Sequence, residues 1–207
     1  DKIIDCFTNE HVTSGDRYLT ADIARLGGDK IVIIEWDGWR GKIKHYSKQT
    51  LDVTTTQISA AMTRNTTGRS STLLDSDGMG GGPVDMLGVK GFVNNSRALP
   101  IPGGEFDSKG NPIPENFDNL KSQCYFKIAE RINKNGIYLE CETDEVKQWI
   151  IEELEQVKQH KMDQDGKKQV VPKDKVKELI GRSPDFSDAL MMRMWFSLKP
   201  VKKLVWA

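Results

Sequence analysis

Four aspartates stand in this chain where folding can bring their carboxylates to one point. The first to draw notice is Asp75, in "LLDSDGMGGGPVDML", which runs from Leu73 to Leu87 directly after a short apolar run. The glycines of this stretch invite a phosphate-cradle reading first. A Walker-type loop needs GxxxxGK followed by Ser or Thr, and the "GK" pairs at Gly41 and Gly166 continue into Ile43 and Lys168 instead. A dinucleotide fingerprint needs GxGxxG after a strand, and counted from Gly78 its last position falls on Pro83. Neither pattern is met. What remains is Asp75 at the carboxyl end of a strand, the edge where open α/β sheets place their sites. Asp22 ends or nearly ends another strand, and in "RSPDFSDALMMRMWF" Asp185 and Asp188 fall at i and i+3, on one helical face. Carboxylates alone offer only oxygen ligands, which suit Mg²⁺ or Mn²⁺ over zinc. Two such ions about 4 Å apart would activate a water and stabilise the leaving oxygen of a phosphodiester. Cys6, Cys124 and Cys141 form no CxxC pair, and His11, His45 and His160 share no ligand spacing, so neither a zinc cluster nor a disulfide framework is indicated.

The elements that must position these groups are legible as periodicity and punctuation. "RYLTADIARLGGDKIVIIEWDGWRGKIKHYSKQT" predicts a meander of three strands, Tyr18 to Ile23, Lys30 to Trp36 and Lys42 to Ser47, with glycine-containing turns between them. A helix is expected over 53–64, where Ile58, Ala61 and Met62 keep the i, i+3, i+4 spacing. Ser71 to Asp75 reads as a fourth strand, Pro83 to Leu87 as a short helix with proline in its first turn, and "GFVNN" from Gly91 as a fifth strand. From Ser96 to Glu115 the composition is that of a long surface loop. Apolar stripes then predict helices through Leu120, Cys124, Ile128 and Ile132, and through Val146 to Val157 after a Thr143 cap. "DQDG", Asp163 to Gly166, closes a small hairpin before a helix through Val176 and Ile180. In the last helix Ser183 is expected as N-cap and Pro184 as first residue. Strands that meander and then alternate with helices describe an α/β layer fold.

A chain of 207 residues is most simply a single domain, against a prior on the order of 150 residues each. No apolar run approaches the ~18 residues that crossing a bilayer requires, so no membrane association is expected. The chain opens on Asp1 with no basic-then-apolar leader, and we read it as a fragment of a longer polypeptide. Thirty basic residues balance thirty acidic ones, so any attraction for a polyanion must be local. Basic residues gather in "KIKHYSK", in Lys121, Lys127, Arg131 and Lys134 along one helix, and in "GKKQVVPKDKVK". A solvated face is the ordinary role of such runs. Lys167 and Lys168, beside the hairpin turn, are the best placed to meet DNA. Met191, Met192, Met194 and Trp195 read as core packing.

Together "YLTADIARLGGDKIVII", "LLDSDGMGGGPVDML" and "RSPDFSDALMM" resemble, in order and over nearly the whole chain, the nuclease domain of the large terminase subunit of tailed bacteriophages. The resemblance implies an RNase H-like fold, a central mixed β-sheet flanked by helices with a small auxiliary hairpin. It makes 1–207 a single nuclease domain, with 1–14 a linker from an absent ATPase domain and 197–207 a C-terminal tail. Asp22 and Asp75 would be metal ligands and catalytic, with the third carboxylate in the "PDFSDAL" helix, Asp188 favoured and Asp185 kept beside it. Arg25 and Asp29 match recurrent positions, Asp77 and Asp85 are acidic positions of the second motif, and Arg25, Asp29 and Asp77 would have supporting or DNA-contacting roles. The glycines after Asp75 would let backbone pass close to it and to a DNA strand. The activity implied is two-metal hydrolysis of concatemeric double-stranded viral DNA during genome packaging, with Mg²⁺ or Mn²⁺ as cofactor. The partners implied are DNA, the ATPase domain of the same polypeptide, the portal and the small terminase subunit, in the host bacterial cytoplasm. Two other readings stay open: another RNase H-like nuclease such as a junction resolvase, and a non-catalytic DNA-grip or assembly module.

Overall fold

The computed structural model describes residues 1–23, 30–47, 49–75, 82–100, 102–160 and 166–199. In chain order the elements are α1 (Lys2–Asp5), β1 (Arg17–Asp22), β2 (Lys30–Asp37), β3 (Arg40–Ser47), α2 (Leu51–Arg64), β4 (Thr72–Asp75), α3 (Gly82–Leu87) and β5 (Lys90–Phe92). There follow α4 (Leu120–Asn133), β6 (Tyr138–Glu140), α5 (Asp144–Glu155), β7 (Gln159–His160), β8 (Gln169–Val170), α6 (Lys173–Ile180), α7 (Asp185–Met191) and α8 (Arg193–Leu198). A single 3₁₀ turn, Arg69–Ser71, leads into β4.

Six strands form one mixed sheet in the order β5-β4-β1-β2-β3-β6, and β7 and β8 form a separate antiparallel ribbon. The meander β1-β2-β3 is antiparallel throughout, whereas β4 joins β1 in parallel. The β2–β3 turn depends on Gly38, whose φ is +63° and whose missing Cβ would lie 2.9 Å from the Gly15 nitrogen. Any side chain there meets backbone. β6, parallel to β3, is a sixth strand that the periodicity missed. Three residues are too few to show alternation.

Period-two alternation sorts the sheet into two faces. Leu19, Ala21, Ile31, Ile33 and Leu74 pack with Ile58 and Ala61 of α2 on one side. Val32, Ile34, Trp36, Ile43 and Leu73 pack with α4, α5, α7 and α8 on the other. By the same alternation Asp22 shares a face with Thr20, whose hydroxyl accepts from Trp36 Nε1 at 3.0 Å, and Asp75 shares one with Leu73. Both carboxylates therefore turn toward the side that α7 covers. Every residue of α7 is buried, the aspartates included. The methionines Met191, Met192 and Met194 lie in the core as read, and so does Cys6, whose carbonyl accepts from the Leu139 amide at 2.8 Å.

Thr143 caps α5 by accepting from the Val146 amide, as its position in the sequence implied. The cap expected at α7 is different. Pro184, not Ser183, takes the N-cap position, and the buried Ser183 hydroxyl has no hydrogen-bond partner among the described residues. A distant side chain does the capping: Glu153 of α5 accepts from the Ser187 amide at 2.7 Å and pairs with Arg182 at 3.1 Å. Among the described residues no helix is long and apolar enough to cross a membrane.

Candidate metal centre

Asp22 and Asp75 close neighbouring parallel strands, so they stand at the same carboxyl edge of the sheet. α7 brings Asp185 and Asp188 down onto that edge from above. All four line one groove of about 640 Å³, with Asn94, Asn95, Asn119 and Gln169 along its polar wall. Asp22, Asp185 and Asp188 are 4%, 4% and 5% exposed, an extreme for aspartates, which are seldom buried unless paired.

The pairing comes from lysines. Lys173, the first residue of α6, places its ammonium 2.8 Å from Asp188 Oδ2, 3.7 Å from Asp185 Oδ1 and 3.8 Å from Asp22 Oδ2. Lys121 of α4 reaches Asp188 Oδ1 at 2.7 Å, and Tyr125, one turn further on, donates to the same oxygen at 2.7 Å. The backbone N–H of Lys30 donates to Asp185 Oδ2 at 2.8 Å, and Asn94 donates to Asp75 Oδ1 at 3.4 Å.

These contacts separate the carboxylates electrically. Burial pushes the Asp22 carboxyl well above the usual range; Lys173 opposes this and the charges of Asp188, Asp75 and Asp185 reinforce it. Asp188 is equally buried, but Lys121 and Lys173 outweigh the desolvation and hold it below the usual range. Burial alone would lower Lys173, and its carboxylate neighbours more than reverse that. Burial also pushes the Tyr125 phenol well up, aided by the negative Asp188. One carboxyl inclined to hold a proton thus stands beside one that stays ionised.

The donor set is oxygen-only and anionic, which fits a hard divalent cation. A positive group already sits among three of the carboxylates, since the Lys173 ammonium lies within 3.8 Å of each. Among the described residues no three acidic, His or Cys side chains stand together closely enough to hold an ion as they are.

Of the residues singled out by sequence, Asp22, Asp75, Asp185 and Asp188 meet in this groove. Arg25, Asp29 and Asp77 lie outside the described residues. Asp85 is exposed on α3 and does not line the groove. Lys167 and Lys168 are exposed and stand outside the groove, which the next residue, Gln169, lines. Lys121 and Lys173 were read as members of basic runs and are instead partners of the aspartates. The i, i+4 spacing of Lys121 and Tyr125 was visible, but nothing local tied it to Asp188, 63 residues from Tyr125. Lys127 and Arg131, on the same helix, are engaged elsewhere, with Glu115 at 2.9 Å and over the Trp39 ring at 3.9 Å.

A mixed six-stranded sheet flanked by helices, with paired aspartates at the carboxyl edge of two central parallel strands, is the RNase H-like fold. In particular, the chain has the fold of the nuclease domains of phage large terminase subunits. It is similar to the nuclease domain of the large terminase subunit gp2 of bacterial virus Sf6, at 17% identity over 93% of this chain and 95% of that one, with a TM-score of 0.75. A variant of that domain with manganese is similar at 16% identity, with the same coverage and TM-score. The large terminase nuclease of thermophilic phage G20c is similar at 14% identity over 89% of this chain and 86% of that one, with a TM-score of 0.56. No protein-family model and no curated protein sequence matches the chain.

Proposed function

We propose that this chain is the nuclease domain of a phage large terminase subunit, a Mg²⁺- or Mn²⁺-dependent endonuclease that cuts concatemeric double-stranded viral DNA during packaging. The observation that carries this is the convergence of four aspartates from β1, β4 and α7 on one groove, three of them within 3.8 Å of the Lys173 ammonium. Structures of the Sf6 domain with manganese and of the G20c nuclease with bound magnesium support the choice of ion.

Asp22, Asp75 and Asp188 would hold the ions, with Asp185 beside them. When bound, a pair of such ions supplies an activated water and stabilises the leaving oxygen of the phosphodiester. The protein's own part is arrangement. The rigid edge of two paired strands carries Asp22 and Asp75, the Lys30 amide fixes Asp185, and α4 fixes Asp188. Lys173 occupies carboxylate oxygens that Asp22, Asp185 and Asp188 would otherwise offer to a cation. The amide wall of Asn94, Asn95, Asn119 and Gln169 suits a sugar-phosphate strand, which needs donors without base-reading. Lys167 and Lys168 extend that path as phosphate contacts. In the whole polypeptide an ATPase domain would drive the DNA, and portal and small subunit would position it, in the host bacterial cytoplasm.

One observation favours a second reading, a DNA-grip module without catalysis: a lysine already occupies the space among three of the carboxylates. Digestion of supercoiled plasmid with Mn²⁺, with EDTA and with the Asp75→Asn variant separates the two. We expect nicking and linearisation with Mn²⁺ alone, and none in the other two reactions. Plasmid left supercoiled with Mn²⁺ would favour the grip module, and full activity of Asp75→Asn would remove Asp75 from the site.

A further inference from the structure

Asp188 is held on both oxygens, from two different sides. Its Oδ1 receives two donors from successive turns of α4, Lys121 Nζ at 2.7 Å and Tyr125 Oη at 2.7 Å. Its Oδ2 faces the space shared with Asp22 and Asp185, where it meets Lys173 at 2.8 Å. Tyr125 is 4% exposed, and its hydroxyl also lies 2.9 Å from Ser187 Oγ. An ionised carboxylate can only accept, so the single phenolic proton must point at Asp188. The Ser187 hydroxyl then donates to Tyr125 Oη or to the Pro184 carbonyl 3.1 Å away. The bond from Tyr125 to Asp188 thus has a defined direction, and it ties α4 to α7.

We propose that Tyr125 is a positioning residue, whose hydroxyl fixes the rotation of the Asp188 carboxylate so that Oδ2 is presented to a divalent cation. The inference rests on the metal-dependent nuclease reading and goes one step beyond it. A carboxylate free to turn about its last bond must be immobilised when it binds an ion; one held by a buried phenol has already lost that freedom. Groups that orient a metal ligand from behind typically carry 10- to 100-fold in metal affinity. Lys121 touches the same oxygen but is less suited as the orienting group. Its positive charge opposes the cation that Oδ2 would receive, whereas the phenol orients without repelling.

Tyr125→Phe removes one hydroxyl and keeps the ring in the core. Calorimetric titration of the intact chain with Mn²⁺ should show a Kd raised roughly tenfold, while the melting temperature in EDTA stays close to that of wild type. Plasmid cleavage should recover at high Mn²⁺, a shift in metal requirement rather than in turnover at saturation. A folded Tyr125→Phe with wild-type Mn²⁺ affinity overturns the proposal. Should that variant not fold, Tyr125→Met, which also removes the hydroxyl, takes its place; weakened Mn²⁺ affinity supports the assignment, and unchanged affinity overturns it. Failure of the metal reading would look different: wild type itself would take up no Mn²⁺, and Asp75→Asn would titrate identically.

Discussion

Lys173 is the residue on which the balance of charge at the groove turns. The folded chain holds the Asp22 proton more tightly than the unfolded chain, because of burial and the neighbouring Asp188, Asp75 and Asp185, with Lys173 opposing. A raised carboxyl contributes stability that is complete below its unfolded pKa of about 4 and is lost as pH rises through the folded value. At neutral pH without metal, Asp22 is therefore a liability. Asp22→Asn should melt higher than wild type in EDTA and lose most of the wild-type gain on adding Mn²⁺, which is roughly 2.7 kcal/mol at a hundred times Kd. Lys173→Ala should do the reverse. Stripped of its ammonium, the cluster should cost about 1–2 kcal/mol in EDTA, a figure reduced for the 37% exposure of that side chain. Its gain from Mn²⁺ should exceed that of wild type. Thermal melts of the three proteins with and without ion test both, and equal gains from Mn²⁺ would mean that Lys173 and the ion do not share oxygens.

At the scale of elements, the placement of α7 rests on a side chain from another helix. Glu153 caps α7 from α5, and its carboxylate is wholly buried. Burial pushes its pKa up to about 8, against the Ser187 amide and Arg182, which pull it down. The sign is the same as for Asp22: stability from this group is present at low pH and fades as pH rises through about 8. Melting temperature in EDTA should fall between pH 6 and pH 9, and Glu153→Gln, which cannot ionise, should flatten that slope. A slope unchanged in Glu153→Gln would show that the carboxyl ionises freely in the folded chain. Glu153→Ala is a harsher change. It uncaps α7 and strips Arg182 of a buried partner, at a cost of about 3 kcal/mol by denaturant unfolding.

Over the whole molecule, the balanced charge leaves DNA binding to local contacts, so affinity should be modest and strongly salt-dependent. Replacing Lys167 or Lys168 by Ala should weaken binding across all sequences and reduce the salt slope by about one each. Measurement by fluorescence anisotropy between 50 and about 200 mM salt checks this; slopes unchanged in both variants would take the ribbon out of the DNA path. The missing phosphate loop makes a second expectation: this chain alone should not turn over ATP above a buffer control.

Strands and helices were legible because their signals are local. The alternation in Lys30 to Trp36, the stripe from Leu120 to Ile132 and the Thr143 cap each depend on residues a few positions apart, and each element formed where its pattern placed it, with ends moved by a residue or two. The four aspartates were legible as candidates because each sits at a strand end or a helix start. What local pattern cannot carry is partnership across the chain. Lys121 and Lys173 looked like solvated charges and became partners of Asp188; Glu153, on a helix read as one apolar stripe, replaced Ser183 as the cap of α7. A side chain's role in a buried cluster is set by the charges that tertiary packing brings to it. In this protein those lie 15 to 67 residues away in sequence, taking Lys173 and Lys121 from Asp188.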